Sequence, residues 1–252
     1  MAKIPVIGLE AQQALMKFAR PEVFPYAKFS ISGTENIPLD SAAILCGNHR
    51  SYFDIAAISL AVAKTGRAVR FLGKKEVFDA PIIGPLATAL GGIRVERGTG
   101  SDEPLRAASQ SLHAGDLVAI MPQGTIPRGP AFFDPVLKGR WGAARLADET
   151  RAPVIPVGIW GTENVWPRNA KLPNITNVTS PPQVIVRVGE PVMLSYVDPD
   201  KDTQLIMDAI TALLPEEARV HREPTAEELR RSYPSNYSGD PDTEEIRRPG
   251  TD

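Results

Sequence analysis

The sequence has little of what several kinds of functional site require. It contains one cysteine, Cys46, and three histidines among 252 residues. A single cysteine excludes a disulfide framework and any multi-cysteine zinc or iron–sulfur centre. The longest weakly charged runs, 55–63 and 80–93, are shorter than the roughly 20 apolar residues that a membrane span needs. Acid–base chemistry in this chain therefore depends on very few side chains.

Charge is nearly balanced, at 28 Lys and Arg against 30 Asp and Glu, and this gives no electrostatic reason to expect nucleic acid as a partner. The balance is uneven along the chain. Residues 221–252 contain five basic and eight acidic side chains, whereas residues 1–220 contain 23 and 22. Because residues 221–252 also contain few aliphatic side chains, we expect a polar, disordered tail there.

Strand-like and helix-like patterns alternate before this tail, which predicts an α/β fold. We expect a mixed, mainly parallel sheet flanked by helices, after a short amphipathic or helical segment at residues 1–27. The apolar, β-rich runs are 28–32, 42–47, 68–73, 93–97, 117–122, 153–159 and 184–188. The helix-like stretches are 55–64, 101–115, 139–150 and 202–214.

The segment from Asn48 to Asp54 follows one of these strands and precedes a helix. His49 and Asp54 are five positions apart, which on a regular helix would place them about 140° apart. They can meet only if His49 lies on the turn and Asp54 begins the helix. A carboxylate bonded to one imidazole nitrogen would leave the other free to take a proton. The alternative is a loop histidine beside an N-capping aspartate.

Further chemistry-bearing residues follow other predicted strands. Lys74 and Lys75 follow the strand-like run 68–73, and the segment from Pro122 to Thr125 follows the run that begins at 117, with Arg128 close behind. The carboxyl ends of parallel strands share one edge of a sheet, where ligands bind in such folds. We therefore expect these residues to lie near the histidine.

In this order the motifs resemble the glycerophospholipid acyltransferase family, typified by 1-acylglycerol-3-phosphate O-acyltransferases. The resemblance covers about residues 30–190, which sets an acyltransferase-like domain at 28–220 and the tail at 221–252. The family's blocks N-H-x-x-x-x-D, G-x-I-x-x-x-R, F-P-E-G-T and V-P-V are matched at these positions: Asn48, His49 and Asp54; Gly91, Ile93 and Arg97; Met121 to Thr125; and Ile155, Pro156 and Val157. The third block departs from the pattern, because Gln123 stands where the family usually has Glu. Gln keeps a hydrogen-bond acceptor but loses the charge.

The resemblance implies acyl transfer from a thioester, acyl-CoA or acyl carrier protein, to the free hydroxyl of 1-acyl-sn-glycerol 3-phosphate. His49 would be the general base, and Asp54 would stabilise the imidazolium. Arg97 would grip the phosphate with help from the loop at Gly124 and Thr125. Lys74, Lys75 and Arg128 are further candidates for phosphate binding. Acyl-CoA would be a co-substrate, with no resident cofactor and no metal.

Two alternatives remain open at this point. The acceptor could be glycerol 3-phosphate or another lysolipid, or the chain could be a non-catalytic lipid-binding protein. Because both implied substrates carry fatty chains, we expect a peripheral protein on the cytoplasmic face of a membrane. The runs 7–18 and 81–90 could contact lipid, with ordinary core packing as the alternative.

Overall fold

The computed structural model describes residues 20–74, 78–79, 92–95, 103–235 and 237–238. Strands and helices alternate in this part of the chain, as the sequence predicts. The strands are β1 (Lys28–Ser32), β2 (Ala43–Gly47), β3 (Val69–Lys74), β4 (Ile93–Val95), β5 (Leu117–Ile120), β6 (Val154–Trp160) and β7 (Gln183–Val188). The helices are α1 (Asp54–Ala63), α2 (Glu103–His113), α3 (Gly142–Thr150), α4 (Thr162–Val165), α5 (Pro199–Leu213) and α6 (Ala226–Ser232).

The seven strands form one mixed sheet in the order β1-β7-β6-β2-β5-β3-β4. Every neighbouring pair is parallel except β6 and β7, which are antiparallel. This confirms the predicted fold class. All five residues of β2 are buried, as expected for a central strand covered on both faces.

Alternate side chains of β2 enter two different hydrophobic cores. Leu45 packs in the core that α1 covers, and Ile44 and Cys46 pack in the core that α2, α3 and α5 cover. Burial raises the pKa of the Cys46 thiol. The sheet is therefore the middle of three layers, and the ends of β2 are held from both sides.

The prediction of a disordered tail is wrong for residues 225–235. Thr225 begins α6 with a capping box, in which its side chain accepts from the Glu228 N–H and the Glu228 side chain accepts from the Thr225 N–H. Ser232 and Tyr233 are buried, and Ser232 Oγ accepts a hydrogen bond of 2.8 Å from the Gly129 N–H. The capping box and the buried Tyr233 order this segment, although its composition is mostly polar.

Several predictions fall on residues that the structure does not describe, namely the runs 7–18 and 81–90 and most of the segment 1–27. Among the described residues, no helix is long and apolar enough to cross a membrane.

Candidate active site

The site lies where β2, β5 and β6 end at one edge of the sheet. β2 pairs in parallel with both of the other strands, so their carboxyl ends come together. The catalytic candidates follow β2 directly, the segment from Pro122 to Thr125 follows β5, and α4 follows β6. This is the placement that the strand order predicts for a ligand site.

His49 and Asp54 meet as the sequence predicts. His49 Nδ1 lies 2.8 Å from Asp54 Oδ2, with the imidazole partly buried and the carboxylate fully buried. β2 ends at Gly47 and α1 begins at Asp54, so the histidine stands on the turn between them. A proton on Nδ1 is then held by the carboxylate, and Nε2 is the nitrogen that can accept a proton from a substrate.

Three further groups bind the Asp54 carboxylate. Oδ2 accepts from the Arg50 N–H at 2.7 Å and from the Ser51 N–H at 2.9 Å. Oδ1 accepts from the Thr162 hydroxyl at 2.5 Å. These three hydrogen bonds satisfy the buried carboxylate and hold it in position beside the imidazole.

The main chain around His49 is anchored to both neighbouring strands. The Asn48 side chain donates to the Ile159 carbonyl at 2.8 Å and accepts from the Ile159 N–H at 2.7 Å. The His49 N–H donates to Gln123 Oε1 at 2.7 Å. Gln123 therefore accepts a hydrogen bond through its amide oxygen, as Glu would through a carboxylate oxygen, but it brings no charge.

The loop after β5 contains a left-handed turn. Gly124 has φ +70°, and its N–H donates to the Met121 carbonyl at 2.8 Å. A Cβ at this position would lie 3.1 Å from the Arg140 side chain, so the turn favours glycine. The Gly124 amide is engaged inside the turn, and the binding of a phosphate by Gly124 or Thr125 stays a prediction.

The other predicted residues are placed as follows. The Arg128 guanidinium lies 4.6 Å from the centre of the Tyr237 ring, and Lys74 is the last residue of β3. Pro156 is buried within β6 opposite Cys46 of β2, which is a core position. Lys75, Gly91 and Arg97 lie outside the described residues.

An ion pair that the sequence analysis missed lies beside the histidine. Arg50 donates to Glu163 at 2.8 Å, and its guanidinium is stacked between the rings of Phe132 and Trp160, at 4.3 and 4.0 Å from their centres. The interaction fixes the residue next to His49 to the segments that follow β5 and β6. The partners are far apart in the chain, so no local pattern reveals them.

Arg168 was missed for the same reason. Its Nη1 donates to the carbonyls of Ile126 and Pro127, which ties the segment after α4 to the loop after β5. Burial lowers the pKa of its guanidinium. In the part of the chain that the structure describes, no three His, Cys, Asp or Glu side chains converge as metal ligands would.

Comparisons with known proteins bear on the family and the fold. A family model described as Acyltransferase matches residues 28–160. A protein of Mycobacterium tuberculosis is 32% identical over 148 residues, which are 56% of this chain and 39% of that protein. The chloroplastic 1-acyl-sn-glycerol-3-phosphate acyltransferase of Arabidopsis thaliana is 27% identical over 157 residues, 61% of this chain and 42% of the relative. The chain thus spans well under half the length of these two relatives.

A solved structure shares the fold. It is the 1-acyl-sn-glycerophosphate acyltransferase of Thermotoga maritima, with a TM-score of 0.60 and 24% identity over 85% of this chain and 84% of that one. At this identity the similarity concerns the fold, whereas the family match concerns the segment that contains His49, Asp54 and Gln123.

Proposed function

Because the chain belongs to the acyltransferase family, we propose that it transfers a fatty acyl group from a thioester to the free hydroxyl of 1-acyl-sn-glycerol 3-phosphate, giving phosphatidic acid. The observation that carries the proposal is the contact of 2.8 Å between His49 Nδ1 and the buried Asp54 carboxylate. The name of the Arabidopsis relative supports this acceptor. The donor is acyl-CoA or acyl carrier protein.

The reaction needs one base and no covalent enzyme intermediate. His49 Nε2 takes the proton of the acceptor hydroxyl as its oxygen attacks the thioester carbonyl carbon. The tetrahedral intermediate then collapses with loss of the thiolate, which takes the proton from the imidazolium. Cys46 is unsuited to be a nucleophile, because burial raises the pKa of its thiol.

Asp54 supplies orientation and charge. Its contact with Nδ1 fixes the tautomer that leaves Nε2 as the acceptor, and its negative charge stabilises the imidazolium that forms during attack. The N–H bonds from Arg50 and Ser51 hold the carboxylate in place throughout. The arrangement is therefore organised before the substrate arrives.

The acceptor's phosphate needs cations near this edge of the sheet. We assign Arg97 to this role, since guanidinium binds phosphate through two parallel hydrogen bonds. Lys74, Lys75 and Arg128 would add positive charge, and Gly124 and Thr125 would shape the loop. A lipid acceptor and a fatty donor also require contact with a membrane, so we place the protein peripherally on a cytoplasmic membrane face.

The test is an assay of purified protein with palmitoyl-CoA and a panel of acceptors: 1-acyl-sn-glycerol 3-phosphate, glycerol 3-phosphate and other lysolipids. His49→Ala should lower the rate about 10²- to 10⁴-fold, the usual contribution of general acid–base catalysis. The control is His221→Ala, which removes an exposed histidine paired with Glu223 outside the site.

Preference for glycerol 3-phosphate would replace the acceptor that we propose and leave the chemistry intact. Vesicle binding without turnover on any acceptor or donor would favour a non-catalytic lipid-binding protein. Undiminished transfer by His49→Ala would contradict the mechanism.

A further inference from the structure

The loop between α4 and β7, residues 166–182, exposes aliphatic side chains next to the site. Leu172, Ile175 and Val178 are 75%, 58% and 53% exposed. Single exposed aliphatic residues are ordinary on a protein surface, but three within seven residues concentrate apolar area on one loop. Such a concentration indicates a contact surface.

The same region carries charge of one sign. The sequence has no Asp or Glu between Glu163 and Glu190, and the loop contains Arg168 and Lys171. Lys171 is exposed beside Leu172. Exposed aliphatic residues beside one exposed cation, with no acidic side chain near them in the sequence, fit an anionic lipid surface. The apolar groups would enter the acyl boundary and Lys171 would meet the headgroups.

The loop contacts the segment from Asn48 to Asp54, which contains the catalytic candidates. The Ser51 hydroxyl donates to the Trp166 carbonyl at 2.7 Å, and the rings of Tyr52 and Trp166 pack edge to face with centres 5.5 Å apart. Arg168, two residues further on, donates to the loop after β5. The Asn174 N–H donates to the Val165 carbonyl at 2.9 Å, so the stretch that bears Leu172 and Ile175 is tied back to the anchored start of the loop.

We propose that the 166–182 loop docks this protein on an anionic bilayer, with Leu172, Ile175 and Val178 inserted and Lys171 on the headgroups. The docking places the histidine edge of the sheet at the membrane, where an acceptor and a donor with fatty chains are found. The inference rests on the proposed function for its lipid substrates. The charge pattern favours lipid over a protein partner, because the loop offers no acidic group to pair with a partner's cations.

The experiment measures sedimentation of the full chain with phosphatidylcholine vesicles, with and without phosphatidylglycerol, in the absence of acyl donor and acceptor. The variant combines Leu172→Ser, Ile175→Ser and Val178→Ser. We expect binding to the anionic vesicles to fall about tenfold to a hundredfold, from the loss of three partly inserted aliphatic groups. Lys171→Ala should weaken binding about fivefold on anionic vesicles, and not on neutral ones.

The matched control combines Met193→Ser and Val197→Ser. These side chains are 88% and 86% exposed. Met193 directly follows Val192, which pairs with Val154 at the start of β6, the opposite edge of the sheet. We expect this variant to bind vesicles as the unaltered protein does. Because all five positions are exposed, unchanged thermal unfolding should show that both variants fold.

Three results would overturn the inference: equal vesicle binding by the triple variant and the unaltered protein, an equal loss in the control, or conversion of a dimer to a monomer by the triple variant without loss of vesicle binding. The last would assign the loop to contacts between copies. Since no acyl substrate is present, failure here leaves the acyl-transfer proposal standing. Loop-dependent vesicle binding without any acyl transfer would refute only the proposed function.

Discussion

Two buried aspartates near the start of their helices, Asp54 in α1 and Asp202 in α5, are built alike and differ in one partner. Both side chains are almost completely buried. Asp54 accepts N–H bonds from Arg50 and Ser51, in the turn that leads into its helix. This local arrangement secures the entry of the chain into the helix.

Asp202 does the same for its own helix. It accepts from the N–H and hydroxyl of Ser195 and from the N–H of Tyr196, which has φ +59°. Only Asp54 also contacts an imidazole, that of His49, and only Asp54 lies at the edge where β2, β5 and β6 end. A buried carboxylate that accepts backbone N–H bonds therefore stabilises the start of a helix at both positions. At Asp54 the contact with His49 adds a proposed role in acid–base chemistry.

The largest expected effect comes from Asp54→Asn. The amide keeps the shape but loses the charge that would stabilise the imidazolium, and it no longer enforces the Nδ1 proton. We expect kcat to fall about 10²- to 10⁴-fold. The measurement is acyl transfer from palmitoyl-CoA by folded protein. A loss below tenfold would mean that the carboxylate acts only on the fold, as Asp202 does.

Asp202→Asn should show the opposite result. One carboxylate oxygen becomes an NH₂ group that faces a backbone N–H or the Ser195 hydroxyl, so a buried donor loses its acceptor. We expect the free energy of unfolding to fall by about 1–3 kcal/mol, measured by urea denaturation, with kcat per folded molecule unchanged. If kcat fell as far as in Asp54→Asn, the two carboxylates would not differ in role.

Substitutions at Gln123 test the hydrogen bond that holds the main chain of His49. Among the residues that the structure describes, no such histidine is present beside Asp202. Gln123→Leu leaves the His49 N–H without its acceptor. We expect kcat to fall about tenfold, as for a displaced catalytic group, and stability to fall by about 1–3 kcal/mol.

Gln123→Glu is the paired variant. It keeps an acceptor for the His49 N–H and should recover most of the stability. The added carboxylate stabilises the protonated imidazole, so the acidic limb of the pH–rate profile should move to higher pH. An unshifted profile, with stability restored, would limit position 123 to a purely structural role.

Features of the fold that depend on neighbouring residues could be predicted from the sequence, whereas features that depend on distant segments could not. β1 has the predicted bounds, because the alternation of Phe29 and Ile31 with polar residues and the Gly33 that follows are local signals. The start of α5 lies three residues before its predicted position, since Asp198 caps it through the N–H groups of Asp200 and Lys201 ahead of the first apolar residue. The antiparallel pairing of β6 and β7 could not be predicted, because the order of apolar and polar residues within a strand does not show the direction of its neighbour.

The contacts of the candidate site likewise fall into a predictable local group and an unpredictable long-range group. His49 and Asp54 are five residues apart, so a strand, a turn and a helix start suffice to predict their contact. Thr162 comes from 108 residues further along the chain and Glu163 pairs with Arg50 across 113 residues. Thr162 and Glu163 reach the site because they follow β6, which lies next to β2 in the sheet. The residues around them in the sequence do not indicate this strand order.

The smallest expected effect concerns a third carboxylate at a helix start, Glu228 in α6, which is partly exposed, whereas Asp54 and Asp202 are buried. A hydrogen bond from the Arg222 side chain and another from the Thr225 N–H lower the pKa of Glu228 from 4.5 to about 2. Because the pKa is lower in the folded state, its contribution to stability is present above pH 4.5 and is lost as the pH falls toward 2.

Glu228→Gln removes this charge and keeps an acceptor. At neutral pH we expect it to be about 0.5 kcal/mol less stable than the unaltered protein, the size of an exposed ion pair. The difference should shrink as the pH falls below 4.5, measured by urea denaturation and by hydrogen exchange of the α6 amides. A difference that persists at low pH would assign the effect to helix capping by the Glu228 oxygens rather than to their charge.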